Sequence, residues 1–146
     1  MRIAIGSDHR GVSTKAHLVQ RLASAGYEIE DVGPEDDSRV DYPDFASAVG
    51  RRVSAGTADR GILICGTGIG MAIAANKVDG VRAAVCYDEQ TAQLSRQHND
   101  ANVLCLSGDS VDAASNEAIA NVWLTTEFEG GRHGRRVAKI GELESR

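Results

Sequence analysis

The chain has 146 residues, a length suited to one domain, and its 42% hydrophobic and 25% charged residues can build a core without disulfide or metal staples. A net charge of −5 at pH 7 excludes a protein that holds nucleic acid through a basic surface, because neutralising phosphates takes an excess of lysine and arginine. No run approaches the ~18 apolar residues of a membrane span, and the N-terminus enters a strand pattern without the apolar stretch of a secretory leader.

Apolar runs alternate with helical patterns along the chain. Residues 2–6 read as a first strand, and 11–25 as a helix with Val12, Ala16, Val19 and Ala23 on one stripe and Leu18 and Leu22 beside it. Gly26 ends that helix, and a second strand near 27–32 runs into the polar loop Gly33 to Ser38. Pro43 starts a helix reaching about Ala55. A third strand at 61–65 leads into a helix at 69–76, a fourth strand at 81–86, and a helix from Glu89 to about Gln97. A fifth strand at 102–106 precedes a helix near 111–125, and a basic C-terminal helix follows Gly130 and Gly131.

This order implies parallel strands, because each crossover helix must return the chain to the same edge. The expected fold is a three-layer αβα sandwich, Rossmann-like, with a five-stranded parallel sheet and an extra C-terminal helix, all in one domain over residues 1–146. Ligands of such sheets sit beyond the carboxyl ends of the strands. Three polar clusters are assigned to that edge: Ser7-Asp8-His9, Cys65-Gly66-Thr67 and His98-Asn99-Asp100.

The run Ile62 to Ala72 carries the strongest signal, since a buried-strand pattern ends on Cys65 and opens into Gly66-Thr67-Gly68-Ile69-Gly70. Glycines let the backbone turn sharply into a helix whose N-terminus favours negative charge, and such a terminus also draws a cysteine toward thiolate. Met71 stands where G-x-G-x-x-G would need a third glycine, and no Lys-Ser/Thr pair follows, so neither a dinucleotide fingerprint nor a P-loop is present. A plain turn after a strand-end core cysteine fits the same residues. Cys86 and Cys105 read as core packing, and three cysteines without C-x-x-C or zinc spacing suit a reduced, cytoplasmic protein.

Asp8 beside His9 could hold sugar hydroxyls or a proton-transfer partner, or Asp8 could cap the helix beginning near Gly11. His98 could act chemically or complement a helix dipole. Arg132 and Arg136 lie one helical turn apart, so both could face one phosphate. They could equally form a solvated basic face, although cations at a helix start oppose the dipole.

Taken together, Ser7-Asp8-His9, Asp41-Tyr42-Pro43, Ile64 to Gly70, Ala74 to Lys77, Gln93 to Asp100 and Gly130 to His133 resemble the type B ribose-5-phosphate isomerases and their sugar-phosphate isomerase relatives, a family that includes galactose-6-phosphate isomerase subunits. The resemblance spans essentially the whole chain. It implies a metal-free, cofactor-free aldose–ketose isomerase acting on a small phosphorylated sugar through a cis-enediolate. It also implies a homodimer or dimer of dimers whose active sites are shared between subunits.

Carried onto this sequence, the resemblance makes Cys65 the base moving a proton between C1 and C2, His98 the group that opens the sugar ring, and Thr67 a catalytic residue that assists in stabilising the enediolate. Asp8, His9 and Asn99 bind the sugar, and the N–H groups of Gly66, Thr67, Gly68, Ile69 and Gly70 stabilise the enediolate. Arg132 and Arg136, contributed from the second subunit, are the residues the resemblance gives for holding the phosphate. One departure concerns Asp109, where the family usually has an arginine that contributes to ligand binding; an aspartate there would repel a phosphate. It bears on which sugar is accepted, so the same chemistry on a hexose or tetrose phosphate stays open, as does a noncatalytic sugar-phosphate sensor.

Overall fold

The computed structural model describes residues 1–145. Five strands, β1 (Arg2–Ser7), β2 (Glu28–Gly33), β3 (Arg60–Cys65), β4 (Ala83–Val85) and β5 (Val103–Ser107), form one sheet in the order β2-β1-β3-β5-β4. Every pairing is parallel. The helices between and after them are α1 (Val12–Ser24), α2 (Tyr42–Ser54), α3 (Ile69–Ala75), α4 (Glu89–Asn99), α5 (Ala113–Thr125) and α6 (Arg132–Glu142). The expected α/β sandwich is the one that forms.

The strand side chains alternate between two cores, as the period of two requires. Ile3, Ile5, Ile62, Ile64, Leu104 and Leu106 face one way and meet α1, α4 and α5 through Leu18, Leu22, Ala92, Ile119 and Trp123. Ala4, Leu63, Cys65, Val103 and Cys105 face the other way and meet α2 and α3 through Ala46, Val49, Met71 and Ala75. Both faces being covered explains why the strands read as continuous apolar runs. α6 lies outside the layers, against α4. Cys86 and Cys105 are buried in the two cores, and burial pushes both thiols up, so they stay neutral packing groups.

Two expectations need correction. The buried stripe of α1 is Thr14, Lys15, Leu18 and Leu22, while Ala16 and Ala23 are exposed. An apolar-only reading misses this because Lys15 lays its stem along the sheet and delivers Nζ to Asp31, 2.7 Å from Oδ1 and 2.8 Å from Oδ2. β4 is also shorter than the expected 81–86. Side-chain amides take over at its start, where Arg82 N–H donates to Asn102 Oδ1 and Ala83 N–H to Asn76 Oδ1, each at 2.8 Å.

The chain goes from β1 outward to β2 and then returns to β3 on the other side of β1, so β1 and β3 flank a topological switch point. Their carboxyl ends are drawn together there. Asp8 N–H donates to Ile64 O at 3.0 Å, and a methyl group on Gly11 would lie 2.6 Å from that same carbonyl oxygen. Gly11→Ala must therefore push the β1–α1 turn away from β3. We expect it to cost about 1–3 kcal/mol, as overpacking does, read as a lower urea midpoint at unchanged m-value.

Candidate active site

Cys65 ends β3 at this switch point, with its side chain on the α2/α3 face and 5% exposed. The turn that follows bends through Gly68, whose φ of 80° is a left-handed conformation that suits glycine. That bend aims the Gly68 N–H at Cys65 Sγ, 3.1 Å away. Ile69 N–H donates to Thr67 Oγ1 at 3.2 Å, so two of the five turn amides expected to face a ligand already have internal partners. The loop after β5 braces the turn: Gly108 N–H donates to Cys65 O at 2.8 Å, Asp109 N–H to Gly66 O at 3.1 Å, and Ser107 Oγ–H to Gly66 O at 2.7 Å.

The loop after β1 brings Asp8 and His9 to the same edge. Asp8 is buried, and its Oδ1 accepts the N–H groups of Arg10 at 2.9 Å and Gly11 at 3.2 Å, which fixes the turn entering α1. The helix-capping alternative is therefore realised in part: Asp8 organises the turn, while the formal cap position falls on Gly11. His9 Nδ1 accepts the Val40 N–H at 3.3 Å, which assigns the ring proton to Nε2. Tyr87 and Tyr42, neither of which was assigned a role from sequence, also frame the turn. Tyr87 Oη–H donates to Thr67 O at 2.7 Å, and the Tyr42 ring fills the space a side chain on Gly70 would need.

His98 and Asn99 do not join this group within one chain. They end α4, which leaves β4 at the carboxyl edge and runs antiparallel to the strands, so its C-terminus reaches the amino edge. Asn102, just beyond, accepts at its backbone O the N–H of Gly61, at the start of β3. The length of β3, about 16 Å at ~3.3 Å per residue, thus separates the two groups. The assignment of all three clusters to one edge is corrected: the residue after a parallel strand and the residue before one lie at opposite edges.

A second constellation forms at the amino edge. The rings of His98 and His133 stack with centroids 4.3 Å apart and planes 11° apart. Arg132 and His133 begin α6, and Glu129 N–H donates to Gln97 O at 3.1 Å, which seats the start of α6 on the end of α4. Arg136 lies one turn on. Ligand atoms of His98, Glu129 and His133 come within 4.8 Å of one another, yet the near-parallel rings hold their lone pairs in parallel planes, which does not suit convergence on one ion. The corner is held by Asp100, a non-glycine residue at φ 47° whose carboxylate is gripped by Arg96 at 2.8 Å and Arg82 at 3.3 Å.

Asp109 does not stand free. Its Oδ2 lies 2.6 Å from Arg10 Nη2, so the charge expected to repel an anion is paired.

The carboxyl edge therefore presents a thiol among turn amides at a sheet switch point, and the amino edge a histidine pair and arginines, groups that can move protons and hold a small anion. The chain matches the family described as Ribose/Galactose Isomerase over residues 3–140. It is 47% identical over 145 residues to ribose-5-phosphate isomerase B of Escherichia coli K12, covering 99% of this chain and 97% of that protein. The structure of ribose-5-phosphate isomerase B from Clostridium thermocellum superposes with a TM-score of 0.98 at 50% identity, covering 99% of this chain and 98% of that one. That of the Mycoplasma genitalium enzyme, with bound ribulose-5-phosphate, gives 0.96 at 46% identity, covering 99% and 96%. The chain belongs to the ribose/galactose isomerase family. It is an enzyme, an isomerase that interconverts an aldose and a ketose.

Burial, with His98 and Arg132 nearby, pushes the protonation of His133 below the usual histidine range, and Glu129 opposes this. The unfolded chain binds the proton near the ordinary value and the folded chain only at lower pH, so stability falls as pH drops through that interval. The urea midpoint should therefore decline between about pH 7 and 5.5 in the wild type and decline less in His133→Gln.

Proposed function

We propose that the enzyme interconverts ribose 5-phosphate and ribulose 5-phosphate, with Cys65 as the base and His98 as the ring-opening group. In the open-chain aldose, the Cys65 thiolate takes the proton from C2 and the carbonyl oxygen gains the charge of a cis-enediolate. The thiol then returns the proton to C1, while the O2 proton moves to O1, and the ketose results. Thr67 and those amides of residues 66–70 that have no partner within the turn stabilise the enediolate, a contribution of roughly 3–4 kcal/mol per well-placed donor in measured enzymes. Asp8, His9 and Asn99 bind the sugar hydroxyls, and Arg132 and Arg136 hold the phosphate. The proton leaves and returns on one sulfur, so the chemistry asks for no cofactor.

The observation that carries this reading is the Cys65 turn, with the Gly68 N–H directed at Sγ, braced by loops from β1 and β5 at the switch point. The separation of His98 from Cys65 supports a working site assembled from two copies of the chain, the amino edge of one meeting the carboxyl edge of the other. Ile69 and Ile73 on α3, next to the turn, are 51% and 62% exposed and supply apolar surface for such a contact. Three unpaired cysteines suit a reducing, cytoplasmic setting, and among the described residues no helix is long and apolar enough to cross a membrane.

Turnover of ribose 5-phosphate should exceed that of four- and six-carbon sugar phosphates by more than tenfold in kcat/KM, a preference whose reversal would reassign the substrate. Cys65→Ala should lose about 10²–10⁴ in kcat, with deuterium exchange from solvent into C1 and C2 lost in parallel. Cys65→Ala and His98→Asn, each inactive alone, should regain about a quarter of wild-type activity when refolded together, since half the dimers are mixed and each has one intact site. No recovery on mixing would place the whole site within one chain.

A further inference from the structure

Arg10 and Asp109 form an ion pair directly over the turn that carries Cys65. Arg10 Nη2 lies 2.6 Å from Asp109 Oδ2, and Arg10 Nε–H donates to Oδ1 at 3.2 Å. The Nε hydrogen bond and the Nη2 ion contact both engage one side of the guanidinium, and its remaining N–H groups are left on a side chain that is 58% exposed. The other end of the residue is fixed as well, since its backbone N–H donates to Asp8 Oδ1. A methyl group on Gly66, the first residue of the turn, would lie 2.9 Å from Asp109 Oδ2 and 3.2 Å from Arg10 Nε. The pair therefore closes one side of the cradle around Cys65.

The charge around it gives the pair its meaning. The five loops that leave the carboxyl ends of the strands hold eight carboxylates and two arginines, Arg10 and Arg39. Among the three loops that meet at the Cys65 turn, Arg10 is the one arginine or lysine. An anion entering this edge meets repulsion from most of what surrounds it and attraction at the exposed side of Arg10. Asp109, unpaired, would add to the repulsion; paired, its charge and that of Arg10 offset each other, and the guanidinium is held in place with its outer N–H groups as the donors open to an anion.

We propose that Arg10 is the substrate-anchoring cation of the carboxyl-edge half-site, gripping the phosphate of the sugar from the Cys65 side, and that Asp109 is its positioning residue. The proposal rests on the reading of the site as one for a sugar phosphate. The fixed reach between Arg10 and the sulfur then helps set which chain length brings C1 and C2 to the base.

Steady-state kinetics and inorganic phosphate as a ligand test this together. Arg10→Gln should raise KM for ribose 5-phosphate about tenfold or more, the worth of a charged hydrogen bond, with kcat changed much less. Arg10→Lys should recover part of the loss, because it keeps the charge without the fork. Asp109→Asn should raise KM by releasing Arg10, and the charge-swapped double variant Arg10→Asp with Asp109→Arg should return KM to within a few-fold of wild type. In thermal-shift titrations, inorganic phosphate should stabilise the wild type and do so about tenfold more weakly in Arg10→Gln. If Arg10→Gln leaves KM and phosphate affinity unchanged, or if Asp109→Asn lowers KM, the proposal is overturned. Arg10-dependent phosphate binding in a wild type that turns over no sugar phosphate would instead overturn the substrate reading and leave the anchor standing.

Discussion

An all-parallel sheet obliges every crossover helix to run back against its strands, and that constraint divides the chemistry of this chain into two ends. Strand carboxyl ends and the starts of the helices that follow share one edge; helix carboxyl ends and strand starts share the other. Cys65, Asp8, His9, Arg10 and Asp109 belong to the first edge, and His98, Asn99, Arg132, His133 and Arg136 to the second. On the reading proposed above, neither group completes an isomerase site alone: the first would supply the base, the second the ring-opening acid and the arginines for the phosphate. A symmetric pair that joins unlike edges would complete two sites at once, and a two-fold axis does this with one kind of contact.

The same sheet explains why the Cys65 side is so firmly built. Small residues let the loops from β1, β3 and β5 press together at their carboxyl ends, where backbone donors from one loop satisfy carbonyls of the next: Asp8 N–H to Ile64 O, Gly108 N–H to Cys65 O, Asp109 N–H to Gly66 O. These bonds hold a turn whose helix, α3, is only seven residues long and has little rigidity of its own. The amino-edge group is held differently, by side chains. Arg96 is 3% exposed and reaches the Asp100 carboxylate, the Ala101 O at 2.6 Å and the Thr126 O at 3.3 Å, tying the end of α4 to the segment after α5.

Most of the architecture was legible in the sequence because it follows from short-range rules. Strand and helix periods, Gly26, Pro43 and the glycine turn place the elements within a residue or two. What was not legible depends on partners distant in sequence. Lys15 is buried because Asp31, sixteen residues on, meets its ammonium group, and hydrophobicity alone cannot anticipate that. Arg10 drew no notice, and Asp109 was expected to repel, because their meaning lies in a contact across 99 residues. The misplacement of His98 has another origin: adjacency to a strand in sequence does not say at which end of the strand a residue sits, and only the direction of α4 decides it.

The glycines of the Cys65 turn make the same point at the smallest scale. In sequence, Gly66, Gly68 and Gly70 read as one device, a flexible loop for an anion. In the structure each answers a separate demand. Gly68 is needed for its left-handed backbone, which is what turns its N–H onto the sulfur. Gly66 leaves the room that the Arg10–Asp109 pair takes up, and Gly70 the room taken by the Tyr42 ring, 2.8 Å from where its Cβ would be. The motif is thus less a loop that wraps a ligand than the floor of a site whose walls come from other segments. A preference for one anionic substrate over another would then reside in those walls, among them the Arg10–Asp109 pair, the charged element that meets the floor at Gly66.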